Sequence, residues 1–134
     1  MGRMPILAGL LLLAGCATGE RDYSGPETAG GAAVNVPPEN YRAEILAYQR
    51  SYLNDPTGIR SAALSQPALR KVGSIERYVV CVRFNAKAAG GTYPGVREHM
   101  AIFLAGKLDQ MAQTREQCKD ATYEPFPELE RLKR

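Results

Sequence analysis

Glu76-Arg77-Tyr78-Val79-Val80-Cys81-Val82-Arg83-Phe84-Asn85-Ala86-Lys87 decides the fold of this chain. Its centre is β-branched and aromatic, and an extended backbone sends successive side chains to opposite faces. Tyr78, Val80, Val82 and Phe84 then share one apolar face, while Val79, Cys81, Arg83 and Asn85 share a second, half-polar one. Such a strand belongs to an antiparallel sheet covered on one side.

Downstream, Arg97 to Ala105 (REHMAIFLA) reads as the next strand, and Gly106-Lys107 as a tight turn into a partner over Leu108 to Ala112. Upstream, Ile59 to Val72 supplies an earlier strand interrupted around Pro67. Before it, Tyr41, Ile45, Tyr48 and Tyr52 recur at helical spacing, with Arg42, Glu44, Gln49 and Arg50 between them. This predicts an amphipathic helix over 38–54. The helix stops at Asn54-Asp55-Pro56, where proline restricts the residue before it, and Asp55 is placed to cap a short turn starting at Pro56. The fold class expected is α+β: one N-terminal amphipathic helix packed on a small three- or four-stranded antiparallel sheet, formed by residues 38–134. The tyrosine stripe reads as a core-facing surface rather than as a cradle for an aromatic ligand.

Residues 17–37 (ATGERDYSGPETAGGAAVNVP) show neither helical nor strand periodicity and read as a tether. Its end-to-end distance is roughly 25 Å if flexible and about 70 Å if pulled straight. Ahead of the tether stand a basic start at Arg3, an apolar run from Ile6 to Leu13, and Leu13-Ala14-Gly15-Cys16. The apolar run is too short for the ~20 residues that cross a bilayer as a helix. It has instead the organisation of a removable export signal over 1–15. The four residues ending at Cys16 resemble a bacterial lipoprotein lipobox. That resemblance implies acylation of Cys16 and a mature chain beginning there, attached to a membrane through its lipid. Ala17 rather than an acidic residue follows, which by the same resemblance favours the outer membrane, facing the periplasm.

Charge sets limits on partners. The 134 residues carry 17 Lys and Arg against 14 Asp and Glu, a formal charge of +3, and removal of residues 1–15 takes away only Arg3, leaving +2 on 119 residues. No Lys/Arg run is interleaved with aromatics, so nucleic acid is not an expected partner.

Of three cysteines the anchor takes Cys16, which leaves Cys81 and Cys118 in an oxidising compartment. A Cys81–Cys118 disulfide is the natural reading, worth about 4 kcal/mol for a loop of this length in the chain-entropy model. A pair of free thiols is the alternative.

Asp55-Pro56-Thr57-Gly58-Ile59-Arg60, then Val80 to Lys87, then Gly90-Gly91-Thr92-Tyr93-Pro94-Gly95 resemble a loose group of small proteobacterial exported proteins. Their pattern is a DP-x-S-x-x-FR segment, a cysteine-containing strand ending in N-A-K-N, and a G-G-Y-x-G loop. The likeness spans roughly residues 53–118 and departs at Gly58, where the pattern has serine, and at Ala88, where it has asparagine. It implies a shared fold and export, and brings no active site with it.

The loop from Asn85 to Val96 is the candidate recognition surface. Gly90, Gly91 and Gly95 permit close approach of another backbone, Tyr93 offers a ring and a hydroxyl, and Lys87 with Arg97 frames the loop with positive charge. A plainer reading makes it a long hairpin connection whose glycines serve turning. Catalytic chemistry finds little footing. The single histidine, His99, has no second histidine or nearby cysteine to complete a metal site, and neither a G-x-S-x-G elbow nor a phosphate loop is present. Asp55, Glu76 and Glu98 carry no spacing that announces a catalytic pair.

Tyr123 to Leu129 (YEPFPEL) is expected to lie as an extended strap with Phe126 and Leu129 over a sheet edge, or to serve as a docking peptide, with 130–134 a solvated tail or helical turn. The functional expectation is a non-catalytic, lipid-anchored envelope protein, without cofactor or metal, acting as an interaction or structural module for an envelope protein or the cell wall. The alternative is a periplasmic inhibitor or ligand-binding lipoprotein using the 85–96 loop.

Overall fold

The computed structural model describes residues 35–114 and 116–134. The leader expected over 1–15, the lipid attachment expected at Cys16 and all but the last three residues of the tether expected over 16–37 lie outside the described residues.

The long strand at the centre of the chain organises everything else. It is β3, Ile75–Asn85, and β4, Arg97–Leu104, pairs antiparallel along one of its sides with Val80 opposite Ala101 and Val82 opposite His99. β5, Lys107–Gln113, extends the sheet beyond β4. Along the other side of β3 run β1, Arg60–Ser65, and β2, Ala68–Val72, end to end, with Leu64 opposite Val82 and Ala68 opposite Val79. β6, Tyr123–Pro125, pairs with β1 and closes that side. The sheet is therefore six-stranded and wholly antiparallel. Among the described residues two helices accompany it: α1, Tyr41–Tyr52, and the short α2, Pro127–Glu130.

The fold is α+β, and the sheet exceeds the three or four strands expected. Two strands account for the difference. β2 and β3 are joined by a two-residue turn at Gly73-Ser74, with Gly73 at φ +66°, so the chain doubles back where the sequence was read as ending one interrupted strand. The Tyr123 segment is a three-residue strand rather than a loose strap, and its Phe126 and Leu129 are fully buried in the core instead of covering an edge. Over 130–134 the chain makes a helical turn, with Arg131 N–H donating to the Pro127 carbonyl and Leu132 N–H to that of Leu129; Leu132 is buried while Glu130, Arg131, Lys133 and Arg134 are exposed. The other turn is displaced by one residue from its expected position. It sits at Ala105-Gly106, both at positive φ (51° and 78°), which matches the twist of a two-residue hairpin.

The interruption at Gln66-Pro67 has a local chemistry. Between β1 and β2 the register slips by one residue, and Pro67 has no N–H to offer. The Cys81 N–H, buried at the gap, donates instead to Ser65 Oγ at 2.8 Å, and Ser65 Oγ–H donates onward to the Gln66 carbonyl at 3.1 Å. A side chain thus replaces the missing ladder bond.

Both faces of the sheet are covered. Val80, Val82, Phe84, Ala101 and Phe103 pack with Leu64, with Ile45 of α1, and with Phe126, Leu129 and Leu132 of the C-terminal segment. Full burial of each large side chain here stabilises the fold by about 1.5–3 kcal/mol. On the second face Val79, Cys81, Met100 and Ile102 pack under Cys118, Ala121 and Tyr123. The Cys81–Cys118 disulfide holds that cover in place, with Cα atoms 5.7 Å apart. The one-sided sheet expected from Arg83 and Asn85 is corrected here, because the 116–122 segment supplies a second, smaller core.

Arg42 fastens the C-terminal segment to α1. Its guanidinium donates to Glu124 at 2.6 Å, lies 3.7 Å from Glu128, and sits over the Phe126 ring.

Candidate functional site

The two halves of the central motif pattern meet in space. Asp55 accepts hydrogen bonds at Oδ1 from the Thr57 backbone N–H at 3.0 Å and from the Thr57 hydroxyl at 2.6 Å, which fixes a tight turn after Pro56. These bonds, the hydroxyl first, hold the Asp55 carboxyl below its ordinary value, and Lys87 adds to the effect. Lys87 reaches Asp55 Oδ2 at 3.6 Å. Tyr93 donates its hydroxyl proton to the Gly58 carbonyl at 2.6 Å, and the Arg60 guanidinium stacks 3.7 Å from the centre of the Tyr93 ring. Gly58 sits at φ +68°, and a Cβ there would come within 3.0 Å of the Tyr93 hydroxyl and 3.1 Å of the Lys87 ammonium. Glycine where the resembled pattern has serine is therefore what this packing requires.

The connection from Asn85 to Arg97 is thereby built rather than loose. Gly95 N–H donates to Asn85 Oδ1 at 3.1 Å across its base, and a turn from Ala88 to Thr92 closes with two backbone bonds of 2.8 Å. Asn85, Lys87 and Tyr93 are engaged in holding it, and the exposed Gly90 and Gly91 form its tip. What the connection frames is more informative than its tip.

Between it, the C-terminal end of α1 and the neighbouring ends of β3, β4 and β5 lies a cleft of about 390 Å³. Tyr48, Tyr52 and Phe84 provide aromatic surface, and Lys87 and Arg97 provide positive charge. Of the loop residues singled out in the sequence, Lys87, Gly95 and Arg97 line this cleft, whereas Asn85, Gly90, Gly91 and Tyr93 do not. Cys81 and Cys118 lie on the opposite face of the sheet.

Two polar groups in the cleft lack partners. Gln49 is only 2% exposed, and its carboxamide Oε1 accepts no hydrogen bond among the described residues. His99, half-buried and stacked on Phe84 with ring centres 5.3 Å apart, leaves its Nδ1 unpartnered in the same way. Burial, and then the nearby charge of Arg97, push the His99 pKa below its usual 6.5, so the imidazole is neutral at neutral pH. Arg97 itself makes no ion pair among the described residues. Among the described residues no carboxylate lines the cleft.

Gln49 is the residue that sequence reading passed over. In the sequence it falls between the tyrosines with Arg42, Glu44 and Arg50, yet it lies four residues after Ile45, and these two are the buried pair of α1. Tyr52, assigned to the core stripe, is 70% exposed and stacks on Tyr48 at the mouth of the cleft. The available signal was a polar side chain at helical spacing from the most buried apolar one.

Comparison with known proteins gives no match: no family model, no curated protein and no solved structure is similar to this chain.

Proposed function

We propose that this chain is a non-catalytic binding module of the cell envelope, held by lipid on Cys16 at the periplasmic side of the outer membrane and receiving its ligand or partner in the cleft beside α1. The observation that carries this reading is the carboxamide oxygen of Gln49, a cleft-lining residue, buried without a hydrogen-bond partner among the described residues. A buried polar group left unpaired costs about 1–3 kcal/mol, a cost that structural positions seldom carry and binding positions do. The cleft's size falls in the range of small-molecule sites, with aromatic walls and a few polar groups. Binding is favoured over catalysis because His99 has no carboxylate or thiol beside it in the lining. The inhibitor reading of the 85–96 loop receives less support, since its one aromatic ring is already engaged by Arg60 and Gly58.

Site-specific photo-crosslinking in the producing cell tests the proposal. A photoreactive residue at Ala88, on the cleft wall, is compared with one at Ser74, beyond the other end of β3, a strand about 33 Å long. A discrete adduct formed from Ala88 only, and lost in the Cys16→Ser chain, is the expected outcome. Equal adducts from both positions, or none from Ala88, overturn the reading.

A further inference from the structure

The cleft's polar groups specify a ligand class, and this step rests on the cleft being the binding site. We infer that it receives a small organic acid in which a carboxylate is borne on a ring carrying a neutral hydrogen-bonding group. The ring lies against Tyr48 and Phe84, the neutral group meets the Gln49 carboxamide, and the carboxylate meets Arg97.

Charge eliminates the alternatives first. Lys87 and Arg97 both line the cleft, and no carboxylate among the described residues does, so a cationic ligand is repelled. Lys87 is shared with Asp55, whereas the Arg97 guanidinium carries no ion pair among the described residues, which leaves it available to a carboxylate through charge-assisted hydrogen bonds. A wholly apolar ligand would leave Gln49 Oε1 and His99 Nδ1, already shut off from water, still without a partner. The carboxamide offers both a donor and an acceptor, and its last torsion is soft, so a small rotation presents Oε1 to a ligand donor and removes the cost of leaving it unpaired. His99, held neutral, adds a group that donates or accepts but contributes no charge. A volume of about 390 Å³ accommodates one ring with its substituents. Tyr48 and Phe84, each stacked on a neighbour, Tyr52 and His99, belong to an aromatic lining that suits an aromatic ring and the apolar face of a sugar ring alike. An aromatic acid and a sugar acid are thus the two sources of this chemistry.

Calorimetric titration of the full chain at neutral pH distinguishes them. The probes are 4-hydroxybenzoate and glucuronate, each against its neutral counterpart, 4-hydroxybenzamide and glucose. At least one acid is expected to bind about tenfold or more tightly than its neutral counterpart, since one charge-assisted hydrogen bond is at stake. Arg97→Gln abolishes that preference. Arg83→Gln, on the opposite face and stacked on Tyr123, leaves it intact and controls for net charge. Neutral compounds binding as tightly as the acids overturn the ligand class while leaving the cleft as the binding site. A preference that survives Arg97→Gln, or falls equally with Arg83→Gln, overturns the role of Arg97. Absence of heat with all four probes overturns the inference as well, and the Ala88 crosslink then decides by itself whether the cleft binds anything.

Discussion

Replacing Gln49 by methionine separates a binding position from a structural one, because the two roles predict opposite signs. The carboxamide is 2% exposed and its oxygen is unpaired, so the folded state carries a desolvation cost of about 1–3 kcal/mol that the unfolded state does not. Methionine has nearly the same length, flexibility and helix propensity, and its thioether needs no partner. Gln49→Met is therefore expected to stabilise the protein by about 1 kcal/mol or more. Residues 35–134 make a domain of 100 residues, for which each kcal/mol moves Tm by about 4–8 °C. Scanning calorimetry under oxidising conditions should show Tm rising by at least about 4 °C, with the two-state ratio of enthalpies unchanged. Affinity for the ring carboxylate should fall in the same variant. A lower Tm would show that Gln49 is part of the packing rather than held in reserve for a ligand, and would refute the reasoning.

Four further outcomes are expected. Ser65→Ala leaves the buried Cys81 N–H without its acceptor and should lower stability by about 1–3 kcal/mol in urea unfolding, whereas Ser65→Thr, which keeps a hydroxyl, should lose less. Ala105→Asn should raise stability by up to about 1 kcal/mol, read as a higher urea midpoint at constant m, since Ala105 sits at φ 51° in the hairpin turn before Gly106 and asparagine tolerates that conformation. Removing the Cys81–Cys118 disulfide by a double alanine substitution should cost about 4 kcal/mol, and thiol labelling of the unreduced, denatured wild-type chain should find neither cysteine free. For His99, the folded pKa lies below the unfolded 6.5, so the unfolded chain binds the proton more readily; its contribution is full above 6.5 and is lost as pH falls from there toward the folded value, and His99→Gln should flatten that part of the stability profile.

How much of this was legible depends on the range of the signal. β3 announces itself because a period of two is local and every second residue is β-branched or aromatic. The turn at Gly73-Ser74 was equally available, since a Gly-Ser pair between strand-like runs is a hairpin signal, but Arg70, Lys71, Glu76 and Arg77 around it dilute the apolar pattern. β6 could not be read locally: three residues ending in proline become a strand only because β1 has a free side to pair with and Phe126 N–H finds the Ala62 carbonyl. The pairing of Cys81 with Cys118 followed from arithmetic and compartment, without geometry. In the site, Lys87, Gly95 and Arg97 were legible as part of a framed loop. The cleft was not, because its floor is assembled from Gln49, Phe84 and His99, which lie on three elements and become neighbours only in the fold. The ring and hydroxyl of Tyr93, legible as candidate recognition groups, hold the loop against Gly58 and Arg60, a contact across 35 residues of sequence for the hydroxyl.

The measurement that bears most directly on the central claim is a ¹H–¹⁵N map of the full chain titrated with 4-hydroxybenzoate and with glucuronate. The account predicts, with at least one of the two acids, the largest shifts at the Gln49 side-chain amide, at His99 and Arg97, and along residues 86–95, while the turn at Gly73-Ser74 stays still. Largest shifts around that turn, or none at Gln49 with either acid, would contradict it.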